Sequence, residues 1–261
     1  MAYNATPGHA ADAEIYYNVS SLYTLMGDVR LMSPFSAITG TSIADESKNG
    51  NALTASASVA TWFGHAGRVN YYDFGTDKRL YRANDTDFDF GDGAGNDTAF
   101  SIACAINLDT AANQFIIGKW DETAASEARE WRLFTDASGY PTLQLYDESA
   151  DKYVGRQDQT AFTTGGWKIL VTTYSASKTS AGIKIYIDGV QLDDADYEDA
   201  GYVSMDVVTA ELNVGAKKTA AATYAEYLDG KLTWPIVSAK ELNAHEVWAV
   251  TKRMKGLIGV A

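Results

Sequence analysis

The acidic side chains carry the clearest chemical pattern in this sequence. Asp85, Asp87 and Asp89 stand at alternate positions, a spacing that can gather carboxylate oxygens around a hard cation such as Ca2+. The sixth residue of that run is Phe90 rather than the Gly of an EF-hand loop, and the twelfth is Asn96 rather than Glu. Two readings therefore stand: a calcium site of another kind, or an acidic loop entering the strand that starts at Phe100. A second acidic run, residues 193–199, places five acids in seven positions and reads as a solvated loop, or as a contact for calcium or a basic partner. Paired carboxylates for glycoside cleavage are not evident. Asp147 and Glu148 are adjacent, so on a strand they point to opposite faces, and Glu127 and Glu130 have no acid between them. The three histidines, His9, His65 and His245, are far apart, and no nucleophile elbow is present. Sugar binding would instead use aromatic platforms. Trp62 and Trp120 fall in expected loops and are the candidates. Trp131, Trp167 and Trp234 fall in strands and Trp248 in a helix, where packing is expected.

The rest of the chain has to position these groups. It has 261 residues, 46% hydrophobic and 21% charged, which is enough for one large core. The net charge is −13, with no basic cluster, which argues against nucleic acid and anionic membrane surfaces as partners. No apolar run reaches 18 residues. Residues 1–16 lack a basic segment followed by an apolar one, so no secretory signal is expected there. The single cysteine, Cys104, cannot form an internal disulfide and sits on an apolar face, where it reads as a small buried hydrophobe.

Period-2 alternation dominates from about residue 22. Phe100, Ile102, Cys104, Ile106 and Leu108 share one face of a strand, with smaller or polar residues between them. Residues 131–134 and 141–146 read as a hairpin around a turn at 136–139. Trp167, Ile169 and Val171 share a strand face. Asp188-Gly189 between apolar runs predicts a type I′ hairpin, because both residues must take positive φ. Pro235 lacks an N–H, so its strand needs an edge or a bulge there. Only the end looks helical: Asn243 to Glu246 has capping-box form, Val247, Val250 and Met254 recur at helical spacing, and Gly256 offers a stop.

Several segments together resemble a known family. Residues 45–54 (DESKNGNALT), 71–75 (YYDFG), 97–102 (DTAFSI), 117–121 (IGKWD), 166–167 (GW), 185–190 (IYIDGV), 212–215 (LNVG), 227–232 (YLDGKL) and 240–246 (KELNAHE) occur in the order of motifs in laminin-G-like jelly-roll domains. The resemblance covers residues 38–250. It implies an all-β fold, a two-sheet antiparallel jelly-roll sandwich of concanavalin A-like type. A short C-terminal helix and an N-terminal arm are expected with it. The E-x-D-x-E face of the glucanase branch is missing, so no enzyme activity is expected. Many relatives bind one Ca2+ at a loop-rich rim, but Thr233 stands where they often carry an Asp. Asp85, Asp87 and Asp89 remain the metal candidates.

The expected organisation is an arm and first strand region at 1–37, a sandwich at 38–239 and a C-terminal helix at 240–261. Relatives of this architecture include bacteriophage virion proteins. The expected role is a non-catalytic structural or binding component of a virus particle, such as a capsid decoration or fibre. It would be made in the host cytoplasm, contact other virion proteins or itself as a homo-oligomer, and attach to a host-surface glycan. The alternative is a lectin-like carbohydrate-binding or adhesion module, soluble or at a cell surface.

Overall fold

A computed structural model describes residues 20–35, 38–39, 41–56, 63–66 and 69–260. Of the arm and first strand region expected at 1–37, residues 1–19, 36 and 37 lie outside them, as does the Trp62 platform. Among the described residues the strands form two sheets, one of 8 strands and one of 12, and every pairing is antiparallel except a parallel bridge between Lys218 and Asp121 at the side of the larger sheet. This is the expected jelly-roll sandwich.

The smaller sheet runs in space from Val190–Gln191 through Ile183–Ile187, Lys168–Tyr174, Phe100–Leu108, Gly230–Ser238 and Val69–Asp73 to Phe63–Ala66. Val29–Met32 adds to the far half of Gly230–Ser238. That long strand changes partner midway. Its Lys231 and Leu232 pair with Val69–Asp73, while Ile236 to Ser238 pair with Val29–Met32. Pro235 sits at the changeover, inside a bulge between Thr233 and Ile236, where its missing N–H breaks no ladder bond. The Asp188-Gly189 turn has φ of 55° and 85°, as the hairpin reading requires.

The larger sheet contains, among others, Lys152–Gln157, Pro141–Asp147, Ala128–Thr135, Gln114–Asp121, Leu212–Val214 and Leu80–Arg82 in that spatial order. Its inward residues meet those of the smaller sheet. Trp131, Leu133, Leu143 and Leu145 pack with Phe100, Ile102, Cys104, Ile106 and Leu170 in the central core.

A second apolar layer covers the outer face of the smaller sheet. The C-terminal helix Ala244–Ile258 lays Val247, Val250, Met254 and Leu257 on Ala103, Ala105, Ile169, Val171 and Trp234. Residues 20–26 are helical and add Leu22 and Met26 to this layer. The strand Phe100–Leu108 is therefore buried on both faces rather than one. Its intervening residues are small because helices rest on them. Asn243 caps the helix with the expected box, but Gly256 is inside it, and Gly259, at φ 73°, is the stop. Trp248 is 52% exposed, not packed, and stacks beside His245.

Candidate functional site

The predicted calcium residues do not converge. Asp85 caps the short 3-10 turn Thr86–Phe88 through the backbone N–H of Asp87 and pairs with Arg82 at 2.6 Å. Asp87 pairs with Arg30 at 3.1 Å and accepts from the Asn51 amide at 2.8 Å. Asp89 pairs with the buried Lys119. Alternate residues on a turn radiate instead of lining one face, so each carboxylate reaches a different cation. A Ca2+ ion needs six to eight oxygens around one point. Among the described residues no three His, Cys, Asp or Glu side chains gather in a metal-holding group, so these residues do not fit the ion.

The loop does a different job, fastening one end of the sandwich. Glu130 is fully buried and accepts from the backbone N–H groups of Phe90 and Gly91 at 2.6 and 3.2 Å, with Lys119 at 3.3 Å. Burial pushes its carboxyl up to about 7, against the opposing pull of Lys119 and the two N–H donors. Asp97 accepts from the hydroxyls of Tyr174 and Tyr202 and from the Met205 N–H at 2.8 Å, which ties residues 202–205 to the same end. Gly91 is required there, because a side chain would collide with the Met205 carbonyl.

Trp120 is not in a loop. It lies in the strand Gln114–Asp121, which is buried along its whole length and so shows no alternation. Its ring is 2% exposed. The Arg132 guanidinium covers it at 4.2 Å, Tyr146 meets it edge-on with centroids 5.3 Å apart, and its N–H donates to Glu122 at 2.9 Å. Trp120 is thus a wall of a site rather than a bare platform.

That site is the outer face of the larger sheet. Backbone register lines up Gly155, Gln144, Arg132, Gly118, Asn213 and Tyr81 in one row across five adjacent pairings. Directly paired residues project to the same side. Arg132 stacks on both Trp120 and Phe134 and donates from Nε to the Gln144 amide oxygen at 2.7 Å. Arg129 stacks on Tyr146 and is chelated by Glu148 at 2.7 and 2.8 Å. Arg79 lies over the rings of Tyr81 and Tyr224 at 4.2 and 3.7 Å and donates to Asn213 at 2.9 Å. Tyr197, from the acidic run, crosses Gly155 and packs against Tyr153 at 5.3 Å and Phe134 at 6.1 Å. A side chain at position 155 would strike the Tyr197 ring and carbonyl.

The acidic run is not a free loop. Ala195–Asp196 pairs as an edge strand with Lys152–Gln157, Asp193 and Asp196 pair with Arg156, and Asp199 pairs with Lys152. These contacts hold Tyr197 in place. Tyr81, Tyr153, Tyr197 and Tyr224 are half-buried and present ring surface beside amide, guanidinium and carboxylate groups. The sequence holds 16 tyrosines, many outside strong apolar runs, and that excess was the signal for them.

Chemically, the face can stack and hydrogen-bond, but its nearest carboxylates are poorly set for acid–base work. Glu122 and Glu226 both bind Lys217 Nζ, at 3.0 and 2.5 Å. Burial alone would raise the Glu122 pKa. The Trp120 N–H and the Lys217 and Arg132 charges outweigh burial and hold it below the usual range. A glycosidase needs one carboxyl kept protonated near neutral pH.

A family model described as the concanavalin A-like lectin/glucanases superfamily matches residues 82–248. No curated protein matches the chain. Among solved structures it is similar to domain 4 of AbnA, a GH43 extracellular arabinanase from Geobacillus stearothermophilus, in complex with arabinotriose. The identity is 11% and the TM-score 0.59, over 86% of this chain and 98% of that one. It is also similar to the binding domain of Paraclostridial Mosquitocidal Protein 1, at 13% identity and TM-score 0.59, over 87% and 52% of the two chains. A botulinum neurotoxin type C structure, whose cell entry depends on interaction with two ganglioside molecules, matches at 12% identity and TM-score 0.58, over 90% and 52%. The chain spans about half the length of the two toxin structures. At these identities the likeness is one of fold.

Proposed function

The chain belongs to the concanavalin A-like lectin/glucanase superfamily, and from that premise we propose that it is a non-catalytic carbohydrate-binding module whose ligand lies on the outer face of the larger sheet. One observation carries the reading. Half-buried tyrosines at that face stand beside a register-aligned row of Gln144, Arg132 and Asn213, a mixture of ring faces and fixed polar groups suited to sugar rings and hydroxyls. The arabinotriose complex of the similar arabinanase domain supports a saccharide as the ligand class. Catalysis is not part of the proposal, since Lys217 ties the Glu122 and Glu226 carboxylates to one ammonium and holds both in ion pairs. The test is a binding titration against a panel of oligosaccharides. Tyr153→Ala and Tyr197→Ala are expected to weaken binding about fivefold to tenfold each. Unchanged binding in both would reject this face.

A second reading concerns where the module works. The exposed Trp248 on the C-terminal helix, with Val190 and Leu192 exposed at the edge hairpin, favours contact with another protein. We propose a virus particle, or a second copy of the chain, as that neighbour, with the host-surface glycan as the sugar. Co-sedimentation with nucleic-acid-containing particles that survives a high-salt wash is the expected result. Recovery of a monomer in soluble or envelope fractions alone would reject the particle.

A further inference from the structure

The charges on the sugar-binding face are layered. Cations lie deep, and the carboxylates that pair with them lie further out. Arg132 is 12% exposed against 32% for Glu122, and Lys217 is 11% exposed against 27% for Glu226. Glu122 is the knot of this arrangement. It accepts from Trp120, pairs with Lys217 at 3.0 Å and stands 3.9 Å from Arg132. The flanks follow the order more weakly: Arg129 is level with Glu148, at 20% against 21%, and lies beneath Asp151 at 79%, and Arg79 is 11% exposed against 17% for Glu211. Arg129 is held by Glu148, with the well-exposed Asp151 at 3.3 Å, and Arg79 is held by Glu211 at 3.4 Å. The order is reversed at the two ends, where Lys218 lies above Asp121 and Arg156 above Asp193.

An anionic ligand approaching such a face meets carboxylate oxygens before it meets any cation. The guanidinium groups behind them are already in use: Arg129 is chelated by Glu148, Arg79 donates to Asn213 and Tyr224, and Arg132 stacks on Trp120 and Phe134 with its Nε on Gln144. The whole chain carries −13, so the long-range field has the same sign. A hydroxyl, by contrast, is a donor, and outward carboxylate oxygens are acceptors for it. Tyrosine rings add a stacking surface that is indifferent to ligand charge.

We propose that this face selects uncharged, hydroxyl-rich saccharides over sulfated or carboxylated ones, and that Glu122 sets the discrimination. The proposal rests on the carbohydrate-binding reading of the same face. The experiment titrates the full chain with neutral oligosaccharides, each matched to a sulfated or uronate counterpart, at low and at high salt.

The expected result is binding of neutral sugars with acidic counterparts at least about tenfold weaker at low salt, the gap narrowing as salt screens the repulsion. In Glu122→Gln the acidic-to-neutral affinity ratio should rise about tenfold, and in Asp151→Asn by a smaller factor. The second variant lies on the exposed rim and keeps the test open if the first fails to fold. Acidic sugars bound as tightly as neutral ones, with affinity lost in salt, would overturn the selectivity and leave carbohydrate binding intact. A ratio unmoved in both folded variants would overturn the role of the outward carboxylates. Binding to neither set would overturn the carbohydrate reading and the selectivity with it.

Discussion

The two outer faces of this sandwich are built on the same strand geometry and end up with opposite chemistry. The smaller sheet turns Ala103, Ala105, Ile169 and Val171 outward, and the helix Ala244–Ile258 and residues 20–26 cover them. The larger sheet turns Trp120, Arg132, Phe134, Gln144, Tyr146 and Asn213 outward, and its cover consists largely of their own stacking on one another. A face capped by helices needs small and aliphatic side chains, because close packing leaves no room for unpaired polar atoms. A face that meets ligand and water needs rings and charges that satisfy each other when nothing is bound. The difference explains why arginine–aromatic stacks concentrate on one side. Arg79, Arg129 and Arg132 each lie over rings of the larger sheet.

Mutations at the two faces should separate stability from binding. Met254→Ala, under the helix, is expected to cost about 2–5 kcal/mol in denaturant unfolding and to leave sugar affinity intact in the folded fraction. An equal loss of affinity would show that the faces are coupled.

The fastened end of the sandwich is probed through Glu130. Its folded-state pKa is raised to about 7, so its contribution is fully present below the unfolded carboxylate value and is lost as pH rises through about 7. Glu130→Gln should remove a pH-dependent component on the order of 3 kcal/mol between pH 4.5 and 7, read from unfolding curves. An unchanged pH profile would mean that the buried carboxyl is already ionised at low pH.

Glu122 on the open face should show the opposite sign. Its pKa is held low, so its stabilisation is present above the unfolded value and fades as pH falls through the folded one. Partial exposure limits the effect to less than about 1 kcal/mol, and Glu122→Gln should flatten the profile on the acid side. Trp248→Ala should have the smallest effect, within about 0.5 kcal/mol, because its ring is mostly in water. A larger loss would mean that the ring supports the helix it stands on.

Legibility in the sequence followed the same divide. The strands around Phe100, Trp167 and Ile183, the Asp188-Gly189 turn and the Pro235 bulge were readable because each depends on neighbours in sequence. The helix was readable from its capping box, although its stop falls at Gly259 and not at Gly256. Trp120 reads from sequence as a loop residue because a strand buried on both faces loses its alternation. The spacing of Asp85, Asp87 and Asp89 suggested convergence, but Arg30 and Lys119, distant in sequence, pull Asp87 and Asp89 apart. The face proposed to bind sugar was hidden for a related reason. Its row draws one residue from each of six strands, and Tyr197 arrives from a run that reads as solvated acid.

The partner change at Pro235 bears on how the chain reaches this shape. Gly230–Ser238 is the only strand that joins Phe100–Leu108 to Val29–Met32 among the described residues, and the Ser238 hydroxyl reaches the Met26 carbonyl across 212 positions of sequence. On the ribosome, Phe100–Leu108 can find Lys168–Tyr174 early, but its other edge stays bare until Gly230–Ser238 emerges. Closure of that edge therefore waits for a pairing between strands far apart in sequence. A nascent chain stalled before that strand would carry an unpaired apolar edge, the kind of surface that chaperones retain and that otherwise seeds aggregation.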